Sequence, residues 1–519
     1  MSASVHSGAA AGSHPRSPGR ERRRAEHQGD LCTREARAMI DERGELERVR
    51  ADLAREAERL ARPRIWSDTI GAIAKSAWLG VRSVAPDAPL LLLRAANGAS
   101  GVRLGPSDLD DGALRAAERL VRRGGPAYIK LGQFIASADG MLPGDWVRAF
   151  AWCRDDAPRI PFSRIRSILR REVGLAAFAE IDTVPLAAGS IAQVHRAVLQ
   201  DGRTVAVKVR RPGVAGRLRS EIGALALAAA AAERFHSGLA AANLPGFVEL
   251  FAQLALEESD LRLEALNLRD CASAFDACGL DYVKVPEPHQ ELVSERVLVT
   301  DYIDGVPYDR AAEQLADPAI GERLLSLAIG GVLRSALLHG LFHGDLHAGN
   351  VLVRSDGTFG LVDFGICGRF TPQQRSAMAG YLLGFAQRDA LAQVGALQSF
   401  GAIQSPSRRL LDELSGELER IEQRSGGDIT FERLGESVSA QLSVLARNGF
   451  RMPKELVLFF KNLLYLSSFA AALAPDADLF RAIERALGGI DLPREGGLAA
   501  LIERSEPDRA RGQGSLPVA

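Results

Sequence analysis

Lysine is the residue this chain does almost without. Of 64 basic residues only six are Lys (Lys75, Lys130, Lys208, Lys284, Lys454 and Lys461), and Arg fills every other basic position. Where Arg is the default, each Lys marks a place to look for work that suits a compact ammonium. Cysteine is sparse as well. The five (Cys32, Cys153, Cys271, Cys278 and Cys367) are scattered and never form C-x-x-C, which excludes a disulfide framework or a cysteine zinc site and fits a reducing compartment. No run reaches roughly 18 uninterrupted apolar residues, the length that spans a bilayer as a helix. The nearest, Leu456 to Ala474, is broken by Lys461 and Asn462. No transmembrane helix and no signal peptide are predicted, so the expected location is the cytoplasm, at most peripheral to a membrane. A formal net charge of -1 gives no reason to expect nucleic acid as a partner.

What is present is ample material for packed cores: 519 residues, 46% of them hydrophobic, enough for two or more structural units. Residues 1–32 are Ser, Gly, Ala, Pro and Arg without periodicity and read as a disordered tail. An Arg-rich targeting peptide is the alternative, weakened by the lack of an amphipathic face. From Thr33 to Arg62, Leu46, Val49, Leu53, Ala57 and Leu60 recur at three- and four-residue steps, an amphipathic helix. Residues 33–104 form an N-terminal helical extension, and 105–180 a further helical region interrupted at Gly124-Gly125-Pro126. Within 181–303, Val205 to Val209 follows the turn Asp201-Gly202 and reads as a strand. Glu221 to His236 and Phe247 to Phe275 read as helices, and Arg296 to Ile303 as a strand. Within 304–490, helical pattern resumes from Ile320, and Phe359 to Val362 reads as a short strand after the turn Asp356-Gly357. Helix dominates after Thr371, with breaks at Ser405-Pro406, Gly426-Gly427 and Pro453. Residues 491–519 are a polar tail. Strands followed by a helical half predict an α+β, two-lobed fold.

The strongest local signal is His343-Gly344-Asp345-Leu346-His347-Ala348-Gly349-Asn350. It resembles the kinase catalytic loop, H-x-D with Asn five residues after the Asp: Asp345 stands where an acceptor oxygen is met, and Asn350 where a metal is held. Leu361-Val362-Asp363-Phe364-Gly365 supplies a D-F-G whose Asp363 would be the main Mg2+ ligand. Val205-Ala206-Val207-Lys208 resembles V-A-I-K, with Lys208 on the α- and β-phosphates of ATP or ADP and Glu264 as its helical carboxylate partner. Val297 to Ile303 reads as the strand and hinge that meet adenine, with Asp301 and Ile303 at the hinge and Thr300 at the back of the pocket. Two things are missing. There is no G-x-G-x-x-G, its place being taken by Ala187-Ala188-Gly189-Ser190-Ile191-Ala192-Gln193-Val194-His195. No A-P-E follows Asp363, and helix resumes by Thr371. Ordinary phosphorylation of protein substrates is therefore not expected.

These departures resemble the UbiB/ADCK family of atypical protein-kinase-like proteins. Its A-A-x-S-x-x-Q-V-H loop is similar to Ala187 to His195, so the resemblance makes Ala187, Ala188, Gly189, Ser190 and Gln193 nucleotide-binding. Its K-x-G-Q is matched by Lys130-Leu131-Gly132-Gln133, and its E-x-D by Glu258-Ser259-Asp260, followed by Glu264 and Asn267. The likeness runs from about Gly105 to about Arg485. It implies a two-lobed kinase-like fold with the K-x-G-Q helix packed over the active site. Lys130 and Gln133 would act as a gate, and Lys130 would face Glu258 and Asp260. It also implies a role in isoprenoid quinone biosynthesis, with quinone precursors, a membrane lipid surface and quinone-biosynthesis enzymes as partners. Two departures stand out: Gly189 replaces a third alanine, and Gly344 gives His-Gly-Asp, which equally resembles aminoglycoside and choline kinases. A small-molecule phosphotransferase is therefore one alternative, and a nucleotide-gated scaffold without turnover is another.

Overall fold

A computed structural model describes residues 41–62, 106–136, 144–153, 159–235, 244–312, 318–387, 389–401, 407–424, seven positions between 437 and 448, 453–474 and 477. The two predicted tails, residues 33–40 of the predicted amphipathic helix, most of the 33–104 extension, and the breaks at Ser405-Pro406 and Gly426-Gly427 lie outside the described residues. The chain divides into two units, Met1–Asp52 and Leu53–Ala519. In the first, residues 41–52 are helical. All the other described residues belong to the second.

Its first described elements are helical: residues 53–61, α1 (Pro106–Arg123), α2 (Pro126–Ala136), α3 (Gly144–Phe150) and α4 (Phe162–Glu172). Pro126 opens α2 where its missing N–H costs nothing. The buried Glu221 carboxylate accepts the Ala127 N–H at 3.0 Å, placing negative charge at a helix N-terminus. Helix α2 packs closely because of its glycine: a Cβ on Gly132 would come within 2.5 Å of Cys153 Sγ and 3.0 Å of Val121.

The upper lobe is a five-stranded antiparallel sheet made of β1 (Phe178–Ile181), β2 (Ala187–Ala188), β3 (Ala192–Leu199), β4 (Thr204–Arg210) and β6 (Val297–Asp301). Its order is β1-β3-β4-β6, with β2 pairing on β3. Alternation along β4 sends Val205, Val207 and Val209 into a core with α4, all fully buried, and turns Ala206 and Lys208 to the cleft. Between β4 and β6 run α5 (Val214–Phe235), α6 (Leu244–Glu257), α7 (Leu261–Ala277) and the short β5 (Val283–Lys284). The predicted single helix from Phe247 to Phe275 is two helices. The chain breaks at Glu258-Ser259-Asp260, where the Asp260 side chain accepts the Arg262 N–H as the cap of α7, a strong start signal that ends the preceding helix.

The lower lobe holds β7 (Val306–Pro307), α8 (Pro318–Arg334), β8 (Leu341–His343), β9 (Val351–Val353), β10 (Phe359–Leu361), β11 (Cys367–Arg369), α9 (Pro372–Ala386), α10 (Ala390–Phe400), α11 (Arg408–Arg424) and α12 (Lys454–Leu473). Strands β9 and β10 form a hairpin, and β8 pairs with β11. Thr371 starts α9 with a capping box and Pro at N1, directly after β11. Helix α12 is long and apolar enough to cross a membrane by composition, yet 72% of its apolar stretch is buried inside the protein, where it is the spine of the lower core.

Because Gly132 sits against the fully buried Cys153, Gly132→Ala should overpack that contact and destabilise the protein by about 1–3 kcal/mol. Thermal denaturation reads it as a lowered Tm. An unchanged Tm would show that α2 is not seated this closely.

Candidate functional site

Between the lobes lies a cavity of about 440 Å3. Its roof is β2, β3 and β4; its back is Thr300 with the hinge Asp301, Tyr302 and Ile303; its floor is Asp345, Asn350 and Asp363. At its centre Lys208 Nζ stands 2.9 Å from Glu264 Oε1 and 2.8 Å from Asp363 Oδ1. The Lys208 side chain is only 15% exposed. Burial works against its charge, but the two carboxylates win and raise its pKa. Burial pushes Glu264 up to about 7, the Lys208 charge opposing it. Burial would raise Asp363 too, yet Lys208 prevails and holds it down at about 2.

The catalytic-loop segment is built by close backbone approach. A Cβ on Gly344 would lie 2.8 Å from the Ile366 carbonyl oxygen, and Gly344 N–H donates to that oxygen at 2.9 Å. The glycine of His-Gly-Asp is thus required by packing against the strand that follows Asp363. His343 is fully enclosed. Its Nδ1 accepts the Asp345 N–H at 3.0 Å and its Nε2 meets the Val362 carbonyl at 3.2 Å. This pattern requires the neutral ring protonated at Nε2, and burial lowers its pKa accordingly. Asn350 Nδ2 donates to the Asp345 carbonyl at 3.0 Å. Asp363 has φ 61, the one non-glycine residue with positive φ among the described residues, a conformation that Asp tolerates better than most side chains.

Helix α2 closes one side. Lys130 forms an ion pair with Glu258, and both side chains are about six-sevenths buried, at 14% and 13% exposure. Gln133 Oε1 accepts from Ser190 at 3.1 Å and its Nε2 donates to the Cys153 carbonyl at 2.9 Å. One helix therefore grips both the Ala-rich loop and the E-x-D break. A Cβ on Gly365 would touch Glu258 Cγ at 3.0 Å, so the break also abuts the D-F-G turn. Asn267, one turn beyond Glu264 on α7, donates to the Phe364 carbonyl at 2.8 Å.

Three expected contacts fall elsewhere. Asp260 does not face Lys130: its carboxylate caps α7 and holds Arg262 at 2.7 and 3.0 Å, because the residue two places after Glu258 is turned away by the new helix. Gln193 does not reach the cavity. Strand alternation turns it to the far side, where its Oε1 accepts the Ile160 N–H at 2.8 Å and its Nε2 meets His195 at 2.8 Å; Ala192 and Val194 face the cleft instead. At the hinge, the N–H groups of Asp301 and Tyr302 are spent on the carbonyls of Glu287 and Thr204, and the Asp301 carboxylate bonds His289 at 2.9 Å. Both Asp301 and Ile303 nonetheless border the cavity, as do Ala187, Ala188, Gly189 and Ser190.

Two lysines on α12 went unread in the sequence. Lys461 Nζ stands 2.8 Å from Asp345 Oδ1, and Tyr465 donates to the same oxygen at 3.0 Å. Lys454 holds Glu257, beside Glu258, at 2.5 Å. Burial would raise the Asp345 carboxyl, but Lys461, His347 and Lys130 together hold it far below the usual range. The scarcity of lysine was the signal that could have found both.

Residues 153–395 match the ABC1 atypical kinase-like domain. An uncharacterized protein of Mycobacterium tuberculosis is 32% identical over 360 residues, covering 68% of this chain and 72% of that one. An aarF domain-containing protein kinase of Arabidopsis thaliana, chloroplastic, is 31% identical over 408 residues, covering 72% and 75%. The probable protein kinase UbiB of Azotobacter vinelandii is 31% identical over 371 residues, covering 69% and 67%. Among solved structures, the Rv3197–erythromycin complex of Mycobacterium tuberculosis overlays 71% of this chain and 97% of that one at 21% identity and a TM-score of 0.42. The fold is kinase-like. The chain belongs to the ABC1 atypical kinase-like family, that of UbiB and the aarF domain-containing kinases.

Breaking the Lys130–Glu258 pair from one side strands a buried charge, so Lys130→Met should cost about 3–5 kcal/mol of stability. Lys130→Met/Glu258→Gln should recover much of that loss in denaturant unfolding. Losses that simply add would show the two side chains to be independent.

Proposed function

We propose that this protein binds an adenine nucleotide with Mg2+ in the interlobe cavity, and works as an atypical kinase or ATPase on a small or lipid-like acceptor, or on water. The observation that carries the reading is Lys208 shared between Glu264 and Asp363. A cation from the strand, a carboxylate from the helix and a carboxylate from the D-F-G turn meet in one cavity. Lys208 would bind the α- and β-phosphates while Glu264 orients it. The hinge residues around Ile303 would meet the adenine.

No group of three or more His, Cys, Asp or Glu side chains that could hold a metal is present among the described residues. Mg2+ does not need one, since it keeps several waters and takes one or two carboxylates together with substrate phosphates. Asp363 and Asn350 fit that demand. Both line the cavity, and Asn350, its Nδ2 committed to the Asp345 carbonyl, retains Oδ1 for a cation. The metal would supply charge neutralisation of the phosphates. Asp345, kept ionised by its neighbours, would orient the acceptor oxygen as a hydrogen-bond acceptor.

Helix α2 favours a small acceptor. It lines the cavity through Lys130, Gln133 and Phe134, and α9 begins at Pro372, directly after β11. The names of the UbiB relatives support a role in isoprenoid quinone biosynthesis or the handling of its lipid precursors. Coupled ATPase assays with quinone-precursor mimics and membranes test that part.

ATP and ADP should raise the Tm only when Mg2+ is present, and Asp363→Asn should abolish the rise. A rise without metal, or one unchanged in the variant, would remove the nucleotide from this site.

A further inference from the structure

Among the described residues three lysines line the cavity, and the nucleotide reading gives work to only two of them. Lys208 is held by Glu264 and Asp363, and Lys130 by Glu258. The third, Lys461, comes from α12, 116 residues beyond Asp345. Its side chain is 11% exposed, in a helix whose buried face is otherwise apolar except for its neighbour Asn462. Burying an ammonium there costs several kcal/mol unless it is paired; a leucine would fill a core position at no such cost.

The surroundings of Lys461 say what it is for. Its Nζ is 2.8 Å from Asp345 Oδ1, and Tyr465, one turn along, bonds the same oxygen at 3.0 Å. Between them Asn462, fully buried, donates to the His343 carbonyl. A little over one turn of α12 thus grasps both ends of His343-Gly344-Asp345. In the reading above, Asp345 marks the acceptor oxygen. The phosphorus that oxygen attacks must lie about 3–3.5 Å from it. An ammonium that touches Asp345 and faces the same cavity is therefore within reach of the oxygens of the group in transit, where charge must be neutralised.

We propose that Lys461 binds the γ-phosphoryl group of ATP, so that a helix beyond the matched kinase-like domain makes this chain discriminate triphosphate from diphosphate. This rests on the nucleotide reading of the cavity. Without nucleotide, Asp345 holds the ammonium, and the Tyr465 ring lies 5.4 Å from it. With ATP bound, the γ-phosphate oxygens share it. ADP has no group at that position and gains nothing from it.

Isothermal titration with Mg2+ and either ADP or the non-hydrolysable analogue AMPPNP tests this. Lys461→Met should weaken AMPPNP at least about tenfold, the worth of one charge-assisted hydrogen bond, and leave ADP within about twofold. Lys461→Arg should keep most of the preference. Since Lys461→Met strands Asp345, the same comparison is made between Asp345→Asn and Asp345→Asn/Lys461→Met, where no carboxylate is left unpaired. AMPPNP affinity should drop between those two and ADP affinity should not. Equal losses for both nucleotides, or none for either, would overturn the assignment. Wild type that binds neither nucleotide would overturn the nucleotide reading itself, a separate result.

Discussion

A single ammonium joins the three parts of this domain. Lys208 leaves the sheet from β4, meets Glu264 on α7 and Asp363 beside the β9–β10 hairpin, and is nearly out of water. Such a charge is tolerable only with all its partners in place, because removing one leaves the others buried and uncompensated. The sheet, the helix and the D-F-G turn are therefore fixed together at one point. Asn267 repeats the tie from α7 to the Phe364 carbonyl, and Arg369 returns it from β11 to Asn267 and Asp270.

From that point the cover over the cleft follows. The start of α7 is set by the Asp260 cap, which forces a break after α6 and leaves Glu258 at the rim of the cavity. Lys130 then has a carboxylate to meet, and α2 is drawn across the opening with Gln133 holding Ser190. The same helix is braced from behind by Glu221 at its N-terminus and by the close seat of Gly132. Each of these groups is spent on positioning α2. Helix α2 thus covers one side of the cleft, and α9 starts at once after β11.

Much of this was legible because the informative residues belong to short patterns with fixed geometry. The V-A-I-K likeness marked Lys208, and the H-x-D and D-F-G likenesses marked Asp345, Asn350 and Asp363. Where the sequence reading went astray, the cause was local. Asp260 was grouped with Glu258 by the E-x-D likeness, while its capping role turns it to Arg262. Gln193 was grouped with the loop around it, although β3 had already begun and alternation buried it against Ile160 and His195. The break at 258–260 was hidden by apolar periodicity on both sides. Lys454 and Lys461 sit in a stretch read only for its hydrophobicity, and their partners, Glu257 and Asp345, are too far away in sequence for spacing to suggest.

The claim on which the rest stands is that Lys208 exchanges one carboxylate for phosphate when the site is loaded. The direct measurement is a crystal structure of the full chain with Mg2+ and AMPPNP. The account predicts nucleotide in the interlobe cavity, Asp363 drawn from Lys208 to the metal, Lys208 still on Glu264, and Lys130 still on Glu258. Nucleotide bound elsewhere, or bound here with Lys208 and Asp363 still paired at 2.8 Å, would contradict it.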